Sequence, residues 1–463
     1  MKSHFLCVCL LILGILSACQ KASPAPTHPS PAAAASLAPT ENLGRVFTVY
    51  PGQYRQTVAH LGSGNFMHYF GGSLTATEPV SALNIRMLQP KFARVRIELP
   101  EWEPKNDNDD PLAMNADKFR DDQHNRAAFQ LMQEFQAQGV ELIASIWLIP
   151  DWMAKDPRVE RSRVIPRSLY PEVIESVAAW LLRAQKTYGV EVDYFSFNEA
   201  NIGINVLLSP EEYAEFIRQG GKRFAELGLK TKFLLGDCSG ISGCLDYAKG
   251  IYAAEDIHPY LGPLAFHNWD GVNATDATIS ELGDWALAQG LEIRCTEGGW
   301  DAQLWRRSEE FPGWDNARLL ATSYSRTLKL SRATTFYYWQ MMGNDYALND
   351  GKTPYLAMKI LQQMSEAFPS GTRIVETSPN NSAIYLVAGE TPSTQGGAAG
   401  FVVHWVNNGP KHIVTVNGLP NGSYTLQISD KNGFNQAKQS FEVTNHYTTF
   451  ELPESSVSLL VKE

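Results

Sequence analysis

Two acidic residues stand where chemistry, rather than packing, would use them. Glu199 lies near the end of the run Val192–Ala200 (VDYFSFNEA), and Glu297 closes Leu291–Glu297 (LEIRCTE). Both runs are apolar and β-type, and both deliver a carboxylate where a buried strand would stop. Asn198 stands directly before the first acid. Two carboxylates brought close together divide the available proton, so one can give and take it while the other stays ionised as a nucleophile. The competing use of each glutamate is an ion pair with Arg94, Arg96 or Arg294.

The elements that must position these acids show in a recurring join: an amphipathic helix, a Gly, an apolar residue, then a β-rich run. It occurs at Gly139-Val140, Gly189-Val190, Gly228-Leu229 and Gly290-Leu291. Each Gly reads as a helix stop. Before Gly189, residues Val173, Val177, Leu181, Ala184 and Tyr188 share one helical face, and Ser209-Pro210-Glu211-Glu212 opens another helix with a capping-box pattern. Eight strands are expected, near His60–Gly64, Phe92–Ile97, Leu142–Trp147, Asp193–Asn198, Lys232–Asp237, Leu264–His267, Glu292–Glu297 and Thr334–Gln340. The fold class expected is α/β, a (β/α)₈ TIM barrel with a C-terminal β-sandwich domain; no Gly-rich phosphate loop supports a doubly wound sheet.

A barrel gathers its site at the carboxyl ends of its strands. Those ends read Arg96/Glu98, Trp147, Asn198/Glu199, Asp237, His267, Glu297 and Trp339/Gln340. Trp102, Trp147, Trp152, Trp269, Trp300, Trp305, Trp314 and Trp339 lie at or just beyond strand ends, a supply of flat rings for stacking sugars, although aromatic residues also pack loops.

The flanking segments divide the chain further. Lys2, the apolar run Phe5–Leu16 and Leu16-Ser17-Ala18-Cys19 resemble a bacterial lipoprotein signal, which implies cleavage before Cys19 and lipidation of its thiol; Gln20 points to an outer membrane. Residues 1–18 are thus read as signal, 19–41 as a Pro/Ala/Ser tether, 42–58 as strands joining the sandwich, 59–370 as the barrel and 371–463 as the sandwich. The formal charge of −10 argues against nucleic acid as partner. With no CxxC or HExxH, neither zinc nor any other metal or cofactor is expected. Cys238 and Cys244 could bridge a short loop or both stay free. The acidic run Asn106–Asp110 could bind calcium, but it lacks the Gly and distant Glu of an EF-hand and reads rather as a solvated loop. Lys155, Arg158, Arg161, Arg163 and Arg167 form a basic stretch that would suit an anionic glycan.

YFSFNEA, RCTEGGW, SIWLIPDWM, AFHNW and FYYWQ together resemble the clan A retaining glycosidases built on (β/α)₈ barrels, and family 30 among them. The resemblance implies Glu199 as acid/base, Glu297 as nucleophile, Asn198 on the sugar 2-hydroxyl and Arg96 or Arg94 as the strand-two arginine. Their places at or beyond strand ends make Trp147, Trp152, His267, Trp269, Trp300, Trp339 and Gln340 the further candidates for contact with the sugar. Two positions depart from the family pattern: Ala200 replaces the Pro usually found after the acid/base, and Trp269 replaces a tyrosine that would hydrogen-bond the nucleophile, with Tyr260 or Tyr338 as substitutes. The activity implied is hydrolysis of a carbohydrate, the alternative a glycan-binding surface lipoprotein without turnover.

Overall fold

The structure, a computed structural model, describes residues 45–67, 77–381, 383–393 and 400–463. Cys19 and the tether lie outside these residues. The first described strand, β1 (Arg45–Thr57), enters the C-terminal sheet before the chain begins its barrel at β2 (His60–Phe66). The barrel continues through β3 (Phe92–Ile97), β4 (Glu141–Ile146), β5 (Tyr194–Phe197), β6 (Lys232–Cys238), β7 (Leu261–His267), β8 (Ile293–Gly298) and β9 (Thr335–Tyr338). These eight parallel strands close on themselves in sequence order. All eight expected strands form, because each is an almost wholly buried run that only a sheet covered on both faces can accommodate.

The helices between them end as their glycines dictate. Gly139, Gly189, Gly228 and Gly290 adopt φ of 73°, 68°, 75° and 69°, a left-handed conformation that costs a side-chain-bearing residue about 1 kcal/mol. The helix Pro210–Glu226 is capped as its sequence suggests: Glu212 N–H donates to Ser209 Oγ at 3.2 Å, and Ser209 N–H donates to Glu212 Oε2 at 2.9 Å. The helix Tyr170–Tyr188 buries Val173, Val177, Leu181 and Ala184 on the face that packs on the barrel.

Side chains fill the barrel in layers. At the amino-terminal end Arg294 pairs with Glu141 and Glu292 and lies 4.9 Å from the Tyr194 ring. Ile143, Leu234, Ala265 and Tyr337 form an inner cluster of the barrel. Toward the carboxyl end comes a polar layer built on Arg94, described below.

The remaining strands, β10 (Arg373–Thr377), β11 (Ile384–Thr391), β12 (Gly400–Asn407), β13 (His412–Asn417), β14 (Gly422–Asp430), β15 (Gly433–Val443), β16 (Tyr447–Leu452) and β17 (Ser456–Lys462), form with β1 one nine-stranded sheet in the order β15-β14-β17-β12-β11-β10-β1-β13-β16. β1 pairs with β13 through Arg45–Thr48 and with β10 from Val49 on, with register shifts between Tyr50 and Thr57 inside the second pairing. Phe47 and Phe450 pack edge-on against Trp405, with centroids 5.1 and 5.9 Å away, which brings β1 and β16 over β12. The helix Trp314–Leu330 lies between this domain and the barrel; Ser325 meets His404 at 3.0 Å, and Lys329 Nζ donates to Ser378 O at 2.8 Å. Burial holds His404 neutral, its pKa lowered to about 3.

Candidate active site

Arg94 anchors the site. It is fully buried on β3, and its guanidinium donates to Glu297 Oε1 (2.8 Å), Asn65 Oδ1 (3.0 Å), Asn198 Oδ1 (2.7 Å), Asp237 Oδ2 (2.7 Å) and Ser145 Oγ (2.9 Å). The Trp147 ring covers it, 4.4 Å from the guanidinium carbon. A fork of rigid donors with every face engaged ties β3 to β2, β4, β6 and β8 and to the end of β5. It also fixes the Asn198 amide: with Oδ1 on Arg94, the Nδ2 donor is left for a ligand.

His267, at the end of β7, is the second hub. Its Nδ1 lies 3.1 Å from Glu199 Oε1 and 3.1 Å from Glu297 Oε2, and its Nε2 lies 3.4 Å from Asp237 Oδ1. Burial would discharge this imidazole, but Glu297, Asp237 and Glu199 outweigh burial and raise its pKa to about 10. It is therefore a cation at neutral pH. Burial likewise raises Asp237, and Arg94, His267 and Ser196 overcome it, holding the carboxylate well below its ordinary range. For Glu297, burial dominates over the pull of His267 and Arg94, and the carboxyl is pushed up to about 7.

These groups form an electrostatic unit of two cations, Arg94 and His267, and three carboxyls, Asp237, Glu199 and Glu297. With Asp237 ionised, the unit is neutral when the two glutamates share a single proton. One oxygen from each glutamate and one His267 nitrogen lie within 4.8 Å of one another. Backbone strain accompanies this placement: Glu199 and Asp237 adopt φ of 51° and 56°, and Glu199 N–H donates to Asp237 O at 3.1 Å. Non-glycine residues in that region cost about 1 kcal/mol or more and persist where the surroundings over-determine them.

The expected site residues fall into three groups. Glu199, Glu297, Asn198, His267 and Trp269 converge. The Trp269 indole N–H donates to Glu297 Oε2 at 3.3 Å, so Trp269 itself fills the role for which Tyr260 or Tyr338 was considered. The Tyr338 hydroxyl instead donates to Tyr346 O at 2.7 Å, and Tyr260 lies against Gly221 on an outer helix. Gly299 makes room for this arrangement, since a Cβ there would come within 2.1 Å of the Trp269 ring. Trp147 and Trp339 form a tilted pair with centroids 5.9 Å apart, and Gln340 follows in a buried position after a cis peptide bond. Trp269 and Trp300 line a groove of ≈ 650 Å³ with Asp270 and Asp301. Trp152 is half-buried, with its indole N–H on Glu103 O at 2.8 Å.

Arg96 requires correction. It bends back on Glu98 with Nε–Oε1 and Nη2–Oε2 distances of 2.6 and 2.9 Å, and Arg94 is the arginine that meets the nucleophile candidate. Both arginines project from the same face of β3, but the stagger of the strands sets Arg94 at the depth of the acids and Arg96 above it. Asp237, Asn65, Ser145 and Ser196 were not singled out as site residues; Asp237 stands at a strand end, whereas the other three look like ordinary strand residues. Cys238 and Cys244 are free and buried, with no disulfide. Trp102 and Trp314 pack structure: Trp102 stacks on Phe119 at 5.3 Å, and the Trp314 N–H donates to Ser455 O.

No family model and no curated protein matches the chain. Solved structures do. A family 30 endoxylanase from Clostridium papyrosolvens superposes with a TM-score of 0.66 at 16% identity, covering 90% of this chain and 99% of that one. A family 30 subfamily 8 xylanase from Clostridium acetobutylicum gives 0.68 at 14%, again with 90% and 99% covered. An endo-β1,6-glucanase gives 0.57 at 15%, with 90% and 94% covered. At these identities the shared property is the fold, and the chain has the barrel-plus-β-domain fold of the solved family 30 glycoside hydrolases.

Proposed function

We propose that the protein is a retaining β-glycosidase that cleaves a poly- or oligosaccharide by double displacement. The observation that carries this reading is the single ring nitrogen of His267 that lies 3.1 Å from both glutamates. It holds the two acids as close neighbours, in keeping with the separation of roughly 5–5.5 Å between carboxyls in retaining enzymes rather than the roughly 6.5–9.5 Å of inverting ones.

Glu297, ionised between Arg94, His267 and Trp269, attacks the anomeric carbon. Glu199, protonated, delivers its proton to the departing oxygen and later takes one from the water that releases the sugar. The charge count explains why one cluster serves both steps. Before attack Glu297 and Asp237 balance Arg94 and His267; in the glycosyl-enzyme Glu297 is an uncharged ester and Glu199 carries the negative charge, so the sum is unchanged. The buried site meets no net charge in either state, and large electrostatic penalties are avoided. Asn198 Nδ2 faces the sugar 2-hydroxyl, and Trp147, Trp339, Trp269 and Trp300 supply stacking surfaces.

Solved structures of this fold described as xylanases and a β1,6-glucanase put β-xylosides and β-glucosides first among substrates to test. A panel of aryl β-glycosides, with the first-formed anomer followed by NMR, tests the reading. Turnover with retained configuration is expected. Binding of oligosaccharides without turnover of any member would favour the glycan-binding lipoprotein instead. Attachment to the cell envelope through Cys19 belongs to the same proposal: the wild type is expected to partition with membranes and Cys19→Ala to be released.

A further inference from the structure

A second group of acids lies at the same barrel end and takes no part in the site above. Asp107, which the acidic run placed in a solvated loop, meets Glu172 and Glu175 from the first turns of the helix Tyr170–Tyr188, with one oxygen of each within 4.8 Å of the others. Glu103 is beside them: its Oε1 accepts the Asp107 N–H at 3.0 Å. Glu103 and Glu175 are 1% exposed and Glu172 7%.

What sets this group apart is that its oxygens are buried and unanswered. Among the described residues, Glu103 Oε2, Asn106 Oδ1, Asp107 Oδ1, Glu172 Oε2 and Glu175 Oε1 have no hydrogen-bond partner. No Lys, Arg or His of the described residues forms an ion pair with any of the four acids. A buried carboxylate without a countercharge is unfavourable, and here several face one another.

We propose that Asp107, Glu172 and Glu175, with Glu103 and Asn106 beside them, bind a hard divalent cation of the calcium type. The donor set is all oxygen, carboxylates with one amide carbonyl, which excludes the soft-metal sites made by Cys and His and matches the six to eight oxygen ligands that calcium takes. The acids come from the loop after β3 and from the helix after β4, so the ion ties two separate barrel units together. Glu103 O also accepts from the Trp152 indole at 2.8 Å, which places the ion behind the loop that carries an expected sugar contact.

The test uses the full chain. Protein stripped with EGTA is titrated with calcium chloride by calorimetry, with magnesium chloride as comparator, and its melting temperature is recorded with and without ion. One saturable calcium site is expected, with Tm raised by about 3 °C at a hundredfold excess over Kd. Glu175→Gln and Asp107→Asn should abolish the shift, while melting in EGTA close to the wild type because each keeps the size and shape of the side chain. Absence of calcium binding to the wild type, or a shift that survives both substitutions, would overturn the proposal; it needs no variant to fold and is independent of glycosidase activity.

Discussion

Two clusters of acids sit at the carboxyl ends of the barrel strands, and the fold treats them in opposite ways. Around Glu199, Glu297 and Asp237 it supplies Arg94 and His267, so that the cluster can sum to zero with its charges buried. Around Asp107, Glu172 and Glu175 it supplies no cation among the described residues and leaves oxygens without partners. The difference teaches what each cluster is for. On the two proposals above, a site whose carboxyls exchange ionisation at constant total charge needs permanent countercharges on the chain, whereas a site that holds an ion leaves the countercharge to the ion.

The comparison can be broken most severely at Arg94. Replacing it by Met leaves three acids against one cation, and a loss of about 3–5 kcal/mol in urea-unfolding stability is expected, together with loss of activity. A stability change within experimental error would show that the acids do not depend on that charge. Glu199→Gln removes a proton donor while keeping the size of the side chain. Turnover of aryl glycosides with poor leaving groups should fall about 10²–10⁴-fold, good leaving groups should suffer far less, and azide should restore the deglycosylation step.

Titration separates the same groups. In kcat/KM an acid limb near pH 7 is expected, because the nucleophile works ionised and its carboxyl is raised to about 7; rates fall as pH drops through that value. His267 acts on stability with a defined sign. Its folded pKa of about 10 exceeds the unfolded value of 6.5, so its contribution is complete below pH 6.5 and is lost as pH rises toward 10, with a slope of at most about 1.4 kcal/mol per unit. Urea midpoints at pH 7, 8.5 and 10 should fall in that order, and less so in a His267→Gln variant.

The smallest effect concerns the basic stretch after β4. Arg158 is tied to Asp156 at 2.8 Å, and Arg163 donates to Asp151 (2.5 Å) and Pro157 O (3.0 Å), so both serve the loop itself. Lys155, Arg161 and Arg167 remain for an anionic substrate. Arg161→Ala should change the ratio of rates on charged and neutral versions of one glycan by no more than a few-fold, as for an exposed charge; a large selective loss would establish recognition of anions.

The barrel was legible because its strands are continuous apolar runs and its helices end in glycines that only a left-handed stop explains. The two glutamates were legible because polar residues break those runs at strand ends. Depth was not. Arg94 and Arg96 alternate onto one face, and only the stagger of neighbouring strands tells which of them reaches Glu297. Nor was the partner of Glu297: Trp269 stands where a hydroxyl was expected and answers with an indole N–H. The acidic run is a partly exposed loop, as its sequence suggests, but its local sequence does not show that Asp107 meets Glu172 and Glu175 across a whole βα unit. The second domain's alternating strands predicted two packed layers, and the layers exist, but within one hydrogen-bonded order that β1 continues from β13 to β10.

The assignment of Glu297 as nucleophile is tested most directly by trapping. Incubation with an activated 2-fluoro β-glycoside, followed by proteolysis and mass mapping, should place one sugar on the peptide containing Glu297, with none on Glu297→Gln. A label on Glu199, or a first product of inverted anomeric configuration with no label at all, would contradict the account.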